Sequence, residues 1–201
     1  TFQDIDVPPT LVSFAVDMAV EKEIITPELK EAGNKLVWLK AARDEYDLPV
    51  YSRIMEQYSK FTEDIRNGRV VSAYALDRHG VVSAVSKMAF GNQMGVCLES
   101  SLDKDAIFAP AFGDIVAEVK ADTFEELVGE YTLIGEVTNE KAFAYGDVKI
   151  GMDDALDAWT KPLEKVFATK SAESSDIPVE EKLYDASTVH VCSHKIGQPT
   201  V

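Results

Sequence analysis

The stretch VVSAYALDRHGVVSAVSKMAFGNQMG, residues 70–95, predicts a buried strand, a tight turn and a helix, in that order. Residues 70–76 are almost wholly apolar and partly β-branched, which is typical of a strand covered on both faces. From residue 81 onward, apolar side chains recur at helical spacing until Gly91 and Asn92, where the helix is expected to stop. A strand that leads through a short turn into a helix indicates a fold in which helices pack on a sheet.

The turn between strand and helix consists of Asp77, Arg78, His79 and Gly80. Glycine tolerates backbone angles that a Cβ atom disfavours, and the first amides of a helix attract anions such as phosphate. The Arg78 guanidinium suits bidentate pairing with phosphate, and His79 has a hydrogen bond to donate. We therefore predict that these four residues bind a phosphorylated small molecule. The alternative is a solvated turn in which Asp77 caps the helix.

The rest of the chain alternates β-forming and helical segments. Further strands are predicted at 11–18, 35–40, 96–99, 114–119 and 131–137, with a hairpin across 142–150. Further helices are predicted from Thr26 and Pro27 to residue 32, along 49–65, and in two parts across 152–168. This order predicts an α/β (α+β) fold with a layered, mixed β-sheet packed against helices, over a domain at 1–169. The polar segment that follows predicts a linker at 170–201.

Charge and hydropathy exclude several classes of partner. The net charge of the 201 residues is −15, which argues against binding nucleic acid or an anionic membrane surface. No apolar run approaches the ~20 residues of a membrane span.

The two cysteines, Cys97 and Cys192, do not suggest a disulfide scaffold and favour a cytoplasmic location. The chain begins at Thr1 without methionine and ends in an apolar stretch, so we expect a piece of a longer protein.

Residues 77–96, DRHGVVSAVSKMAFGNQMGV, resemble the AIR-synthase-type C-terminal domain of the formylglycinamidine ribonucleotide synthase family (AIR, aminoimidazole ribonucleotide). Three blocks in the same order extend the resemblance: PPTLVSFAV at 8–16, TPELKEAGNKLVWLK at 26–40 and KPLEKVFAT at 161–169. The similarity is greatest to the second such domain of the long, single-chain form. The resemblance therefore implies an AIR-synthase-type C-terminal domain.

The family resemblance implies a C–N ligase of purine biosynthesis that uses ATP, Mg²⁺ and glutamine to amidate formylglycinamide ribonucleotide. It also implies neighbouring AIR-synthase-type domains in the same chain and a glutaminase domain beyond Val201. The family's ATP site lies mainly on N-terminal domains that this chain lacks. Its nucleophilic cysteine lies on the glutaminase domain, and neither Cys97 nor Cys192 matches it. We therefore expect no catalytic residue in this piece, and no activity from the piece alone.

The turn departs from the family pattern. Many family members have Asp-x-Ser-Asp-Gly-Gly here, whereas this chain keeps Asp77 and Gly80, lacks the serine and has Val81 in place of one glycine. A β-branched residue disfavours the close approach that paired glycines allow. The turn is thus either a nucleotide site or a degenerate structural copy. Two further alternatives stay open: a non-catalytic scaffold that positions the glutaminase, and a free-standing small-molecule binding module.

Other polar clusters allow competing interpretations. His190, Cys192 and His194 would project to one face of an extended segment and are candidate zinc ligands, although a closed structural site needs four. A strand or linker near a domain junction is the alternative. The carboxylates at 153, 154 and 157 invite a Mg²⁺ interpretation, but their place in the first turn of a helix favours stabilisation of the helix dipole. Trp38 and Trp159 fall on apolar stripes and are expected in the core.

Overall fold

The computed structural model describes residues 10–169, so the predictions for 170–201, including the candidate metal ligands His190, Cys192 and His194, lie outside the described residues. The described strands are β1 (Lys35–Leu39), β2 (Val70–Ala75), β3 (Gly95–Leu98), β4 (Ile115–Val119), β5 (Thr132–Thr138), β6 (Ala142–Tyr145) and β7 (Val148–Gly151). The α-helices are α1 (Tyr51–Arg66), α2 (Gly80–Asn92), α3 (Lys104–Phe108) and α4 (Met152–Thr160). Short 3₁₀ helices lie at Glu21–Glu23, Ala121–Glu126 and Lys161–Leu163. Contacts divide the chain into one compact unit that ends at Pro162 and another that begins at Leu163.

The strands form one sheet in the order β2-β4-β1-β5-β3-β6-β7. Neighbouring strands run antiparallel except for β3 and β6, which run parallel. The predicted mixed sheet of an α/β fold is therefore confirmed. Within the described part of the chain, no helix is both long and apolar enough to cross a bilayer.

Alternate residues of β1 supply the cores on the two faces of the sheet. Leu36 and Trp38 belong to one hydrophobic cluster, whereas Val37 and Leu39 belong to the other. This division follows from the two-residue side-chain period of a strand. Helix α2 packs in the first cluster and α1 in the second, so helices cover both faces. The layered arrangement agrees with the predicted fold.

Predicted and observed elements agree closely around the quoted stretch. The strand expected at 70–76 is β2, and the helix expected from residue 81 is α2. Gln93 then adopts a left-handed conformation (φ 53°) and ends α2 one residue beyond the predicted stop. The helix expected across 152–168 is α4 in its first part, but its second part is only the 3₁₀ turn at Lys161–Leu163.

The strand predicted at 11–18 is wrong. These residues have no regular secondary structure, and side chains such as Leu11 and Val16 are 96% exposed. Their apolar alternation resembles that of a strand, but a strand also requires a neighbour that pairs with its backbone. Within the described residues, segment 11–18 pairs with no strand of the sheet.

The short helix predicted from Thr26 and Pro27 to residue 32 is also wrong. The fully buried carboxylate of Glu118 accepts hydrogen bonds from the amides of Lys30 (2.8 Å) and Glu31 (3.0 Å). Asn34 Nδ2 (2.7 Å) and Ser72 Oγ (3.0 Å) donate to the same carboxylate. Because the Glu118 carboxylate accepts the hydrogens of the Lys30 and Glu31 amides, these amides do not require the main-chain carbonyl acceptors that a helix would supply. Glu118 thereby fastens the segment to the sheet.

Candidate functional site

The predicted turn lies between β2 and α2, and its backbone requires glycine at position 80. Gly80 has φ +68°, and a Cβ atom there would lie 2.6 Å from the Ala109 carbonyl oxygen and 2.7 Å from that of Ile107. Both oxygens belong to the end of α3 and the residue that follows it. The next residue, Val81, is fully buried in the core beneath α2. The glycine therefore serves the close packing of α2 on α3.

Asp77 stabilises the turn through its own carboxylate. Its Oδ1 accepts the His79 amide at 2.7 Å, and this hydrogen bond is the main reason that the pKa of Asp77 is lowered from its ordinary value. The N-terminal cap of α2 is His79, whose side chain makes no capping bond. The alternative in which Asp77 is the cap of α2 is therefore not observed. Asp77 instead accepts a hydrogen bond from the amide of His79, which is the cap residue. Asp77 remains an anion within the turn.

His79 lies between two charged neighbours. Its Nδ1 is 3.2 Å from Asp77 Oδ1, and its Nε2 accepts a hydrogen bond from Arg78 Nε at 3.2 Å. Both ring nitrogens are therefore engaged, in the tautomer that carries the proton on Nδ1. The sequence predicted that His79 would donate a hydrogen bond to a phosphate. In the structure its two ring nitrogens instead contact Asp77 and Arg78 within the turn. Arg78 is exposed, and it donates its hydrogen bond to His79 through Nε rather than through the terminal guanidinium nitrogens.

Lys87 on α2 also contacts the turn, although it was not among the predicted site residues. Its Nζ lies 3.2 Å from Tyr74 Oη and 3.4 Å from Asp77 Oδ2. The Tyr74 hydrogen bond is the largest cause of the raised pKa of Lys87, so the amine is cationic at neutral pH. Lys87 follows Gly80 by seven residues, which is two helical turns, so both residues lie on the same face of α2. This spacing would have allowed Lys87 to be predicted from the sequence.

These residues line an open groove of about 450 Å³ at the N-terminal end of α2. The lining residues are Arg78, His79, Val82, Ser83, Lys87, Phe108 and Trp159. Trp159 is 57% exposed, so its expected core position is wrong, whereas Trp38 is buried as expected. The groove brings two fixed cations, a helix N-terminus and an exposed indole to one place. Such a set can bind an anion beside a flat ring.

A second cavity of about 360 Å³ adjoins the groove, since Val82 and Phe108 line both. It lies among α2, α3 and the β6–β7 hairpin, and its walls are mostly aliphatic and aromatic. Of its polar lining residues, Ser86 donates its hydroxyl to the Val82 carbonyl and Tyr145 to the Leu102 carbonyl. The cavity is thus apolar, with Lys104 among its lining residues.

Other sequence-predicted polar residues have structural partners. Asn92 Nδ2 donates to the Leu29 carbonyl at 2.8 Å, which ties the end of α2 to the segment before β1. Asp157 pairs with Lys161 at 2.7 Å, and Asp153 and Asp154 lie in the first turn of α4. Among residues 10–169 there is no group of three His, Cys, Asp or Glu side chains placed to hold a metal ion. The acidic cluster agrees with its helix-dipole interpretation.

Comparison with curated proteins gives relatives of moderate similarity. Phosphoribosylformylglycinamidine synthase subunit PurL of Limosilactobacillus fermentum is 30% identical over 127 residues, which cover 59% of this chain and 17% of the relative. No protein-family profile matches the chain. The sequence similarity therefore concerns a small part of a much longer protein.

Solved structures show the same fold. PurLQS from Thermotoga maritima matches with a TM-score of 0.58 at 13% identity, over 68% of this chain and 28% of that chain. PurL from the same organism, complexed with ATP, matches with a TM-score of 0.54 at 14% identity, over 67% of this chain and 27% of that chain. This chain thus spans between 17% and 28% of the three proteins named here. It has an AIR-synthase-like fold related to that of formylglycinamidine ribonucleotide synthase.

Proposed function

We propose that this chain is a domain of a formylglycinamidine ribonucleotide synthase, and that its groove binds the phosphate groups of a nucleotide. The observation that carries the binding proposal is the convergence of Arg78 and Lys87 on the N-terminal end of α2. The similarity to PurL and the AIR-synthase-like fold support the family assignment.

The electrostatics of the groove support a phosphate ligand. Two side chains that are cationic at neutral pH lie beside the positive end of a 13-residue helix. Asp77 offsets part of this charge, because its Oδ2 lies 3.4 Å from Lys87 Nζ while its Oδ1 accepts the His79 amide. Arg78 supplies the bidentate donor and Lys87 the point charge.

The complete reaction needs more than this chain. We propose that ATP- and glutamine-dependent amidation of formylglycinamide ribonucleotide, in de novo purine biosynthesis, belongs to the whole cytoplasmic enzyme. Neighbouring AIR-synthase-type domains and a glutaminase domain of the same chain would be its partners. The two cationic side chains and the adjacent N-terminal end of α2 would suit the phosphate groups of ATP. For Mg²⁺, residues 10–169 offer no cluster of three ligands, so we assign the ion to the nucleotide and to other domains.

A non-catalytic scaffold is the second candidate function, and the packing of the turn favours it. The α3 carbonyls block any side chain at Gly80, and Val81 is used for core packing instead of close approach to a ligand. In this alternative the domain positions the glutaminase against the synthetase core and binds no nucleotide. The two functions make opposite predictions for a titration with phosphate ligands.

The test is calorimetric titration of the 201-residue chain with ADP and with inorganic pyrophosphate at low salt. We expect both to bind, and the Arg78→Ala and Lys87→Ala variants to bind each about tenfold more weakly, because each loses a charge-assisted hydrogen bond. The matched control is Arg53→Ala, since Arg53 is exposed on α1 and α1 packs on the opposite face of the sheet. A folded chain that binds neither ligand would contradict the nucleotide site and support the scaffold.

A further inference from the structure

The indole of Trp159 forms a supported aromatic surface at the rim of the groove. Phe90 stacks on it with ring centroids 5.4 Å apart and an interplanar angle of 16°. Phe143 in turn contacts Phe90 edge to face at 5.9 Å and 86°. Phe90 on α2 therefore stacks on the indole and is itself supported by Phe143 on β6, while the Trp159 side chain as a whole stays 57% exposed. An exposed indole that lines the same groove as two cationic side chains offers a stacking surface to a ligand with a flat ring.

We propose that Trp159 stacks on the base of a nucleoside diphosphate or triphosphate whose phosphates bind Arg78 and Lys87. This inference rests on the proposed phosphate site and adds the class of its ligand. Stacking on an aromatic side chain tolerates any base, because every base has a π face. The groove thus selects a nucleotide with an aromatic base over a phosphorylated sugar without one. Formylglycinamide ribonucleotide, whose substituent has no ring, would lack this contact.

The adjoining apolar cavity is a poorer place for the base. A purine carries several ring nitrogens and exocyclic groups that are hydrogen-bonded in water. In the cavity, the hydroxyls of Ser86 and Tyr145 already donate to main-chain carbonyls. A buried polar group without a partner loses its hydration, which outweighs the gain from apolar contact. On Trp159, in contrast, the polar edges of the base remain in water while its face is covered.

The experiment measures affinity and tryptophan fluorescence together. ADP and pyrophosphate are titrated into the 201-residue chain and its Trp159→Leu and Trp159→Phe variants. We expect ADP to bind the native chain about 5- to 100-fold more tightly than pyrophosphate, as base stacking predicts. Trp159→Leu should remove this advantage without changing the pyrophosphate affinity, and Trp159→Phe should keep most of it. ADP should quench the fluorescence of Trp159, and the Trp159→Phe variant, whose one remaining tryptophan is the buried Trp38, should show no such quenching.

The outcomes separate the two proposals. If pyrophosphate and ADP bind equally, or if saturation with ADP leaves the fluorescence unchanged, the stacking proposal is overturned while the phosphate site stands. If the native chain binds neither ligand, both proposals are overturned. Should Trp159→Leu lose its fold by circular dichroism, the Trp159→Phe variant and the quenching of the native chain still decide the result.

Discussion

Replacement of Glu118 by glutamine tests the role of the buried carboxylate that holds segment 26–34 on the sheet. Oε1 accepts from the Glu31 amide and Asn34 Nδ2, and Oε2 accepts from the Lys30 amide and Ser72 Oγ. In Glu118→Gln, the –NH₂ group must face one of these donor pairs. The least costly choice is the Oε2 side, where the serine hydroxyl can rotate and accept. The Lys30 amide then stays buried without an acceptor.

The expected loss of stability follows from the one main-chain amide, that of Lys30, which is left without an acceptor. An unsatisfied buried amide costs about 1–3 kcal/mol, and the remaining bonds weaken because the acceptor is no longer charged. We expect the free energy of unfolding to fall by about 3 kcal/mol, which corresponds to a drop in Tm of about 6–12 °C. Urea unfolding followed by circular dichroism measures the free energy. Hydrogen exchange of the Lys30 and Glu31 amides reports the local effect.

The matched control is Glu136→Gln. Glu136 lies on β5 with its side chain 46% exposed and pairs with Lys35 at 2.6 Å. Such a partly exposed pair contributes less than about 1 kcal/mol. A loss of less than 1 kcal/mol in Glu118→Gln, equal to that of the control, would refute the reasoning. Unchanged protection of the Lys30 and Glu31 amides would refute the local assignment.

Three other perturbations have defined outcomes. Gly80→Ala should lower the free energy of unfolding by about 2–4 kcal/mol, because φ is +68° and the new Cβ would contact the Ala109 carbonyl oxygen. Urea titration measures this loss, and a value below about 1 kcal/mol would contradict the close packing at Gly80. Tyr131→Phe should cost about 1.5–3 kcal/mol, since its hydroxyl donates to the buried Asp64 carboxylate at 2.6 Å; an unchanged urea midpoint would exclude this. Burial raises the pKa of Asp114 above its ordinary 3.8, so the contribution of Asp114 to the free energy of unfolding should fall as pH rises from about 4 through the folded-state pKa and then level off. A carboxyl ¹³C titration that gives Asp114 a pKa at or below 3.8 would contradict this.

Local pattern predicted the central part of the fold. In β1, each residue's place in one core or the other follows from alternation alone, and in α2 the buried residues follow from helical spacing. The glycine at position 80 also predicted its own positive φ. These features depend on neighbours a few residues away, so periodicity and turn chemistry are sufficient to find them.

The failures depend on residues far apart in the sequence. The segment after Thr26 is fixed by Glu118, whose contacts with Lys30 and Glu31 span 88 and 87 positions. The candidate site is completed by Trp159, which reaches the groove through its stacking on Phe90. No local pattern contains this information. Lys87 is the exception, because two helical turns from Gly80 it could have been found by spacing.

The exposed apolar side chains between Leu11 and Val20 predict a solubility of the purified chain that depends on salt. Leu11, Phe14 and Val16 are each at least 87% exposed, so they offer contiguous apolar surface to a neighbouring molecule. At low ionic strength the net charge of −15 keeps such molecules apart. At about 0.1 M salt the Debye length is only about 10 Å, so the charges of two molecules that are farther apart than this are largely screened from each other. Sulfate would also strengthen apolar association, so the chain is best handled in dilute chloride buffers.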